Sequence, residues 1–298
     1  MNRDLHFDYT TIGHVTIDVL DDGSRRAGGT AFYSALQAAR LGLRAHIVTC
    51  GVPGEIEALL EPCRGELELT VRPAARTTTL RTLGSGSERS QRVLAWAGPI
   101  AAGDLALDTA ILHLAPVARE TPARWGGRAP FVGLTPQGLV RDWSGPGGEI
   151  ARVSPTGAAA AAANAVAARC DAIVVNEHER ASCADLIATA RAGGATVAVT
   201  AGASPITILA PGDGAPDADA QTVTLDVPPL DQAVDDLGAG DVFAAAFFVA
   251  LGDGRSPLDA AGFANAAAAV RMRGAGADAI GGREEIEARL HATAGASE

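Results

Sequence analysis

Lysine is absent: all 24 basic side chains in the 298 residues are arginine. That excludes a Walker-type phosphate loop, which needs a lysine, and any lysine Schiff base. A phosphate bound here would have to be neutralised by arginine, backbone amides or metal. Cysteine is sparse, at positions 50, 63, 170 and 183 with no Cys-x-x-Cys pair, so neither a zinc site nor a disulfide framework is expected. The histidines are scattered, without the i, i+4 spacing of a helical metal site. No apolar run is long enough to span a bilayer, and Met1 to Asp8 lacks a signal-peptide layout. A cytoplasmic protein with no membrane partner is the expectation. Positive charge is also short: a net charge of −11 argues against nucleic acid or an anionic membrane surface as a partner.

The length suits one α/β domain over residues 1–298 with a substantial core. Short β-like runs alternate with longer Ala-rich helical runs. The strand candidates are Tyr9–Ile12, Ala45–Cys50, Ala110–Leu114, Pro130–Leu134, Ala172–Val175 and Thr196–Val199. The helix candidates include Ala31–Leu41, Gly157–Ala168, Glu177–Arg191, Val242–Leu251, Pro257–Met272 and Arg283–His291. Such alternation predicts a mainly parallel central sheet with helices on both faces. Residues Glu66–Ala97 differ, being extended, Thr-rich and polar, which fits either a small β lid or an exposed antiparallel hairpin. The patches Ser144–Gly148 and Pro211–Pro216 read as surface loops.

The most informative stretch is Val234-Asp235-Asp236-Leu237-Gly238-Ala239-Gly240-Asp241-Val242-Phe243. A small-residue turn runs into an apolar helix with an acid at the junction. Glycine lets the backbone approach a ligand closely, and a helix start offers unpaired N–H groups and a positive dipole end to an anion. Asp241 is thereby placed as a base beside an anion hole. An ordinary glycine loop before a buried helix would show the same spacing.

The residues go further than the spacing. The stretch resembles the Asp-Thr-x-Gly-Ala-Gly-Asp signature of the ribokinase-like (PfkB) family of sugar and nucleoside kinases, with Asp236 in place of the threonine. Gly28-Gly29-Thr30-Ala31 leading to Ala39-Arg40-Leu41-Gly42 resembles the family's first signature. Asn176-Glu177-His178-Glu179 resembles its Asn-x-x-Glu motif, and Thr200-Ala201-Gly202 its Thr-x-Gly segment. The resemblance implies a ribokinase-like α/β fold with a lid from roughly residues 14–30 and 66–97. It also implies transfer of the γ-phosphate of ATP, with Mg²⁺, to a hydroxyl of a small sugar, cyclitol or nucleoside. Asp241 would be the catalytic base, with Gly238, Ala239 and Gly240 as the anion hole. Asp18, Gly28, Gly29 and Tyr33 would meet the substrate, and Thr200, Gly202, Asn265 and Gly274 the nucleotide. Asn176 and Glu179 would organise the metal, although on local pattern they equally form a helix cap with its capping-box glutamate.

Asp235 resembles an aspartate that shapes a monovalent cation site in some relatives, so that ion is a further candidate. The chain also departs from the pattern. Tyr33 stands where ribose-phosphorylating members carry asparagine, and Thr135-Pro136-Gln137 stands where many have Asp-Pro-Asn, which points to a divergent pocket nearer the inositol-kinase-like branch. A catalytically silent sugar- or nucleotide-sensing protein on the same fold is the alternative. A Rossmann dehydrogenase is excluded because no Gly-x-Gly-x-x-Gly follows the first strand. An exposed lid edge strand could pair with a second copy, making a homodimer the candidate assembly.

Overall fold

The computed structural model describes residues 6–211, 222–228, 230 and 233–294; most of the Pro211–Pro216 patch lies outside them. The amino-terminal part runs β1 (Phe7–Ile12), β2 (Thr16–Val19), β3 (Arg25–Gly28), α1 (Thr30–Arg40), β4 (Ala45–Gly51) and α2 (Pro53–Leu60). There follow β5 (Leu67–Pro73), β6 (Thr79–Leu83), β7 (Ser90–Ala95), β8 (Ala102–Leu114), β9 (Trp125–Arg128) and β10 (Phe131–Leu134). Three short strands come next, β11 (Arg141–Asp142), β12 (Gly148–Glu149) and β13 (Ala151–Arg152). The carboxy-terminal part comprises α3 (Gly157–Ala167), β14 (Ala172–Asn176), α4 (Glu177–Arg180), α5 (Ala184–Ala192), β15 (Thr196–Ala201) and β16 (Ser204–Leu209). Last are β17 (Thr222–Leu225), α6 (Ala239–Gly252), α7 (Pro257–Arg271) and α8 (Arg283–Ala294).

The main sheet has the order β17-β16-β15-β14-β10-β8-β1-β4-β5, with β9 alongside β8. All its pairings are parallel except β15–β16 and β16–β17 at one edge. The parallel strands share a register that brings Ile12, Leu114 and Leu134 to one level, so their carboxyl ends form a common edge. β14 is continuously apolar and buried over Ala172–Val175, as a strand covered on both faces must be. The fold class read from the alternation is thus the one observed.

Two hydrophobic cores flank the sheet, one built on α1, α6 and α7 and the other on α3 and α5. α6 is the central helix: every residue from Val242 to Ala250 is buried, which suits its apolar character on all sides. Its Phe248 presses on β10 so closely that a Cβ at Gly133 would sit 2.4 Å from the ring.

A second, five-stranded sheet of order β12-β7-β6-β2-β3 stands apart from the main one. The sequence reading assigned all of Glu66–Ala97 to such a unit. Instead Leu67–Pro73 pairs in parallel with β4 as the edge strand of the main sheet, and only from Thr79 does this segment join β2 in the second sheet. The single helix read over Glu177–Arg191 is also broken. Cys183, fully buried, turns its N–H to both Glu179 O (2.9 Å) and Arg180 O (3.2 Å), closing α4 before α5 starts.

The close approach at Gly133 yields a stability prediction. Gly133→Ala should lower the urea midpoint by an amount corresponding to about 1–3 kcal/mol of overpacking. Gly54→Ala, in α2 with nothing within 4 Å of the new methyl, should leave the midpoint unchanged or raise it. Equal effects at the two positions would contradict the packing described.

Candidate active site

At the carboxyl edge of the main sheet the chain crosses from strand to helix repeatedly, and the polar residues singled out in the sequence converge there. In open α/β sheets this edge is where ligands bind. Asn176 and Thr200 are register partners on β14 and β15. The Gly28-Gly29 pair ends β3 and opens α1, with Gly29 at φ 91, a left-handed conformation in which any Cβ would also strike His14 O at 2.3 Å.

The glycine turn is built as its sequence demands. Gly238 has φ 85 and caps α6, and a side chain there would run into the Tyr33 ring at 2.6 Å. Tyr33 is therefore the floor of the turn, only 1% exposed. Burial pushes its hydroxyl up to about 12, and the hydroxyl has no protein partner. Of the three residues read as the anion hole, Ala239 donates its N–H to Asp236 O at 3.2 Å, closing the turn itself. Gly240 and Asp241 follow in the first helical turn, where amides have no carbonyl in helical position to reach. An anion would thus meet the amides of Gly238, Gly240 and Asp241 rather than that of Ala239.

Asp241 is half-buried at this helix start, and its backbone carbonyl accepts from Ser34 Oγ at 3.0 Å. Burial raises its carboxyl to about 6, against the lowering effects of the Thr30 hydroxyl and the Arg141 charge. Asp18 on β2 is 3% exposed and is likewise raised to about 6 by burial, although Thr16 Oγ1 donates to it at 2.7 Å. A Cβ at Gly28 would lie 2.1 Å from the Asp18 carboxylate, so this glycine makes room for the acid. Asp18 and Asp241 lie within electrostatic reach of each other.

Arg141 was not picked out by the sequence reading. It follows β10 by a single turn of helix and is the positive charge that faces Glu179, Asp241 and Glu120. Its guanidinium donates to Gln137 Oε1 (2.8 Å), Gln91 Oε1 (3.0 Å) and Val117 O (2.9 Å). Gln137, the departure from Asp-Pro-Asn, donates in turn to the Thr30 hydroxyl. A continuous chain therefore links Gln91 on the second sheet through Arg141, Gln137 and Thr30 to Asp241. Nearby, Tyr9 Oη is bonded to His113 Nδ1 (2.9 Å) and His113 Nε2 to Thr135 Oγ1 (3.0 Å), with burial holding His113 down to about 3 and hence neutral. Glu120, also missed, is fully buried and accepts from the N–H groups of His14 (2.9 Å), Val117 (2.8 Å) and Ala118 (2.6 Å), tying the ends of β1 and β8 together.

Asp236, the threonine replacement, has found partners: Arg89 pairs with it, and Gly86 N donates to it at 3.0 Å. The loop between β6 and β7 is thereby fastened to the signature turn. Asn176 and Glu179 form the capping box, with Glu179 N donating to Asn176 Oδ1 at 2.9 Å and Asn176 N to Glu179 Oε2 at 3.5 Å. Glu179 is 7% exposed, and burial raises its carboxyl despite the Arg141 charge. Among the described residues no group of three or more His, Cys, Asp or Glu could hold a metal. The pair read as organising a metal, Asn176 and Glu179, could contribute oxygens only to an ion held mostly by water and a bound ligand. Of the residues read as nucleotide-binding, Gly202 is exposed with φ 59 in the two-residue loop between β15 and β16. Asn265 is half-buried on α7, and Gly274 O accepts from Arg271.

Residues 150–280 match the pfkB family carbohydrate kinases. Similar solved structures include a pyrophosphate-dependent kinase in the ribokinase family, complexed with a pyrophosphate analogue and myo-inositol. It shares 23% identity over 94% of this chain and 99% of that one, with a TM-score of 0.73. The ribokinase of Thermotoga maritima shares 20% over 96% and 99%, with a TM-score of 0.67. Arabidopsis thaliana ribokinase, complexed with ribose and ATP, shares 19% over 95% and 98%, with a TM-score of 0.66. A comparison with curated proteins gives no match. The fold is the ribokinase-like fold of these structures. Within that fold, residues 150–280 are the part similar to the pfkB family carbohydrate kinases. No helix among the described residues is long and apolar enough to cross a membrane.

The raised carboxyls set a pH prediction. Both Asp18 and Asp241 move from 3.8 to about 6, so the folded chain binds these protons more tightly than the unfolded one. Their contribution to stability is complete below pH about 4 and is lost as pH rises through about 6. Asp241→Asn should therefore raise the melting temperature above pH about 7, with the gain vanishing below pH about 4. A variant less stable than the wild type at the higher pH would show that Asp241 is not held in this environment.

Proposed function

We propose that this protein transfers the terminal phosphoryl group of ATP to a hydroxyl of a small sugar, cyclitol or nucleoside. The observation that carries the reading is the placement of Asp241. Its carboxyl, raised to about 6, stands in the first turn of α6 directly behind the left-handed Gly238 turn and beside Asp18.

Asp18 accepts hydrogen bonds from substrate hydroxyls, being an acceptor that two hydroxyls can share. Asp241, ionised above pH about 6, takes the proton of the attacking hydroxyl as the new O–P bond forms. The amides of Gly238, Gly240 and Asp241 hold the charge on the transferring group, and little reorganisation is needed because the turn is already fixed. Glu179, through water, would hold the Mg²⁺ that screens the phosphate oxygens. Arg141 keeps the three carboxylates around it from repelling the donor. The second sheet, fastened through Arg89 to Asp236, acts as a lid that keeps water from the phosphoryl group. Thr200, Gly202, Asn265 and Gly274 lie toward the donor, Gly28 and Gly29 line the acceptor side, and Tyr33 supports the turn from below. The similarity to a pyrophosphate-dependent kinase favours a second reading, in which pyrophosphate is the donor at the same turn.

The test is phosphate transfer from Mg·ATP and from Mg·pyrophosphate across ribose, fructose, myo-inositol, adenosine and cytidine. Acceptor-dependent turnover with one donor is expected, falling about 10²–10⁴-fold in Asp241→Asn. Activity of that variant near wild type would overturn the base assignment. No turnover with either donor, alongside a compound that still raises the melting temperature, would put the sensing alternative first.

A further inference from the structure

Arg271, the last residue of α7, has a side chain with no exposed surface, and both terminal nitrogens of its guanidinium are met by oxygens of two loops, while Nε has no partner. Nη1 donates to Gly274 O at 3.0 Å and Asp235 O at 3.3 Å, and Nη2 to Leu237 O at 2.6 Å and Asp235 Oδ2 at 3.0 Å. The same carboxylate also receives Arg26 Nη1 (2.9 Å), Gly276 N (3.0 Å) and Leu237 N (3.0 Å). Burial would raise the Asp235 carboxyl, but these donors hold it well below the ordinary carboxylate range.

A carboxylate and several carbonyls converging on one point are the ligand set of a hard cation, and sequence comparison had marked Asp235 for a monovalent ion. That ion does not fit, because the guanidinium of Arg271 already fills the point where these oxygens meet, and that of Arg26 holds the same carboxylate. The position of Leu237 explains what the arrangement achieves. In a trans peptide the C=O and N–H point in opposite directions. Drawing Leu237 O onto Arg271 therefore turns the Gly238 N–H outward, toward the place assigned to the phosphate. An unpaired guanidinium in such a spot would be costly, so the cage and its cation stabilise one another.

We infer that Arg271 is a built-in cation that takes the place of a dissociable monovalent ion and fixes the glycine turn in its anion-binding shape. It is a positioning residue, and its catalytic consequence rests on the kinase reading. The wild type should turn over equally in potassium, sodium and tetramethylammonium chloride at matched ionic strength. In Arg271→Ala the carbonyls of residues 235, 237 and 274 lose their cation and only Arg26 remains on Asp235, so the melting temperature should fall and be restored by guanidinium or potassium but not by tetramethylammonium. Its kcat should drop by about 10²-fold, the scale of a lost oxyanion donor, and recover with the same ions, while KM for the acceptor changes little. Arg271→Lys, which keeps the charge, should lie between.

Strong potassium dependence of the wild type, or wild-type kcat in Arg271→Ala without added cation, would overturn the inference. Should Arg271→Ala not fold, the ion series on the wild type and on Arg271→Lys decides, an ion-dependent wild type or an inactive, ion-insensitive lysine variant being the contrary results. If the wild type transfers no phosphate from any donor, the kinase reading fails. Ion-specific recovery of the melting temperature then still supports the internal cation, and its absence still overturns it.

Discussion

Guanidinium groups placed among carboxylates make this site workable. A chain of net charge −11 assembles Asp18, Glu179, Asp235, Asp236 and Asp241 around the place proposed for an anionic donor. Left to themselves those charges would repel a phosphate and would be costly to bury. Arg141 offsets Glu179, Asp241 and Glu120, Arg89 pairs with Asp236, and Arg26 and Arg271 share Asp235. Arginine suits this task because its planar fork serves several acceptors at once and stays charged when buried, whereas lysine is a compact charge that loses its proton more readily. The absence of lysine is compatible with the site because arginine forks meet Asp235 and Asp236 and one faces Glu179 and Asp241.

The same contacts join the two sheets. Asp236 ties the β6–β7 loop to the signature turn, and the chain from Gln91 through Arg141, Gln137 and Thr30 ends at the Asp241 carboxylate. The second sheet and the Asp241 carboxyl are therefore joined by a run of hydrogen bonds. The substitutions of Gln137 and Asp236 into the family pattern are what make both connections.

Much of this was legible in the sequence, for reasons that can be stated locally. Period and composition gave the parallel strands and most helices, and the glycine turns announced themselves because Gly238 and Gly29 occupy left-handed backbone that other residues avoid. The failures lie where partners are distant in the chain. Leu67–Pro73 looked no different from the lid strands, since only its pairing with β4 distinguishes it. The break at Cys183 rests on its backbone N–H closing onto Glu179 O and Arg180 O, which no periodicity reveals. Arg141 and Glu120 carried no motif, and their roles arise from contacts with residues 91, 137, 14 and 117. Arg271 did leave a trace: a charge closing the apolar run Ala266–Val270 in a helix otherwise fit for burial. Asp235 and Asp236 were flagged, but the arginines that meet them come from three separate elements.

The phosphate site proposed for this turn consists of the amides of Gly238, Gly240 and Asp241. It is tested most directly by following backbone amide resonances while methylenediphosphonate is added with Mg²⁺. The account predicts that the amides of Gly238, Gly240 and Asp241 shift together and saturably, while that of Ala239, bonded within the turn, moves least. Saturable shifts confined to another part of the chain, with this turn unmoved, would contradict it.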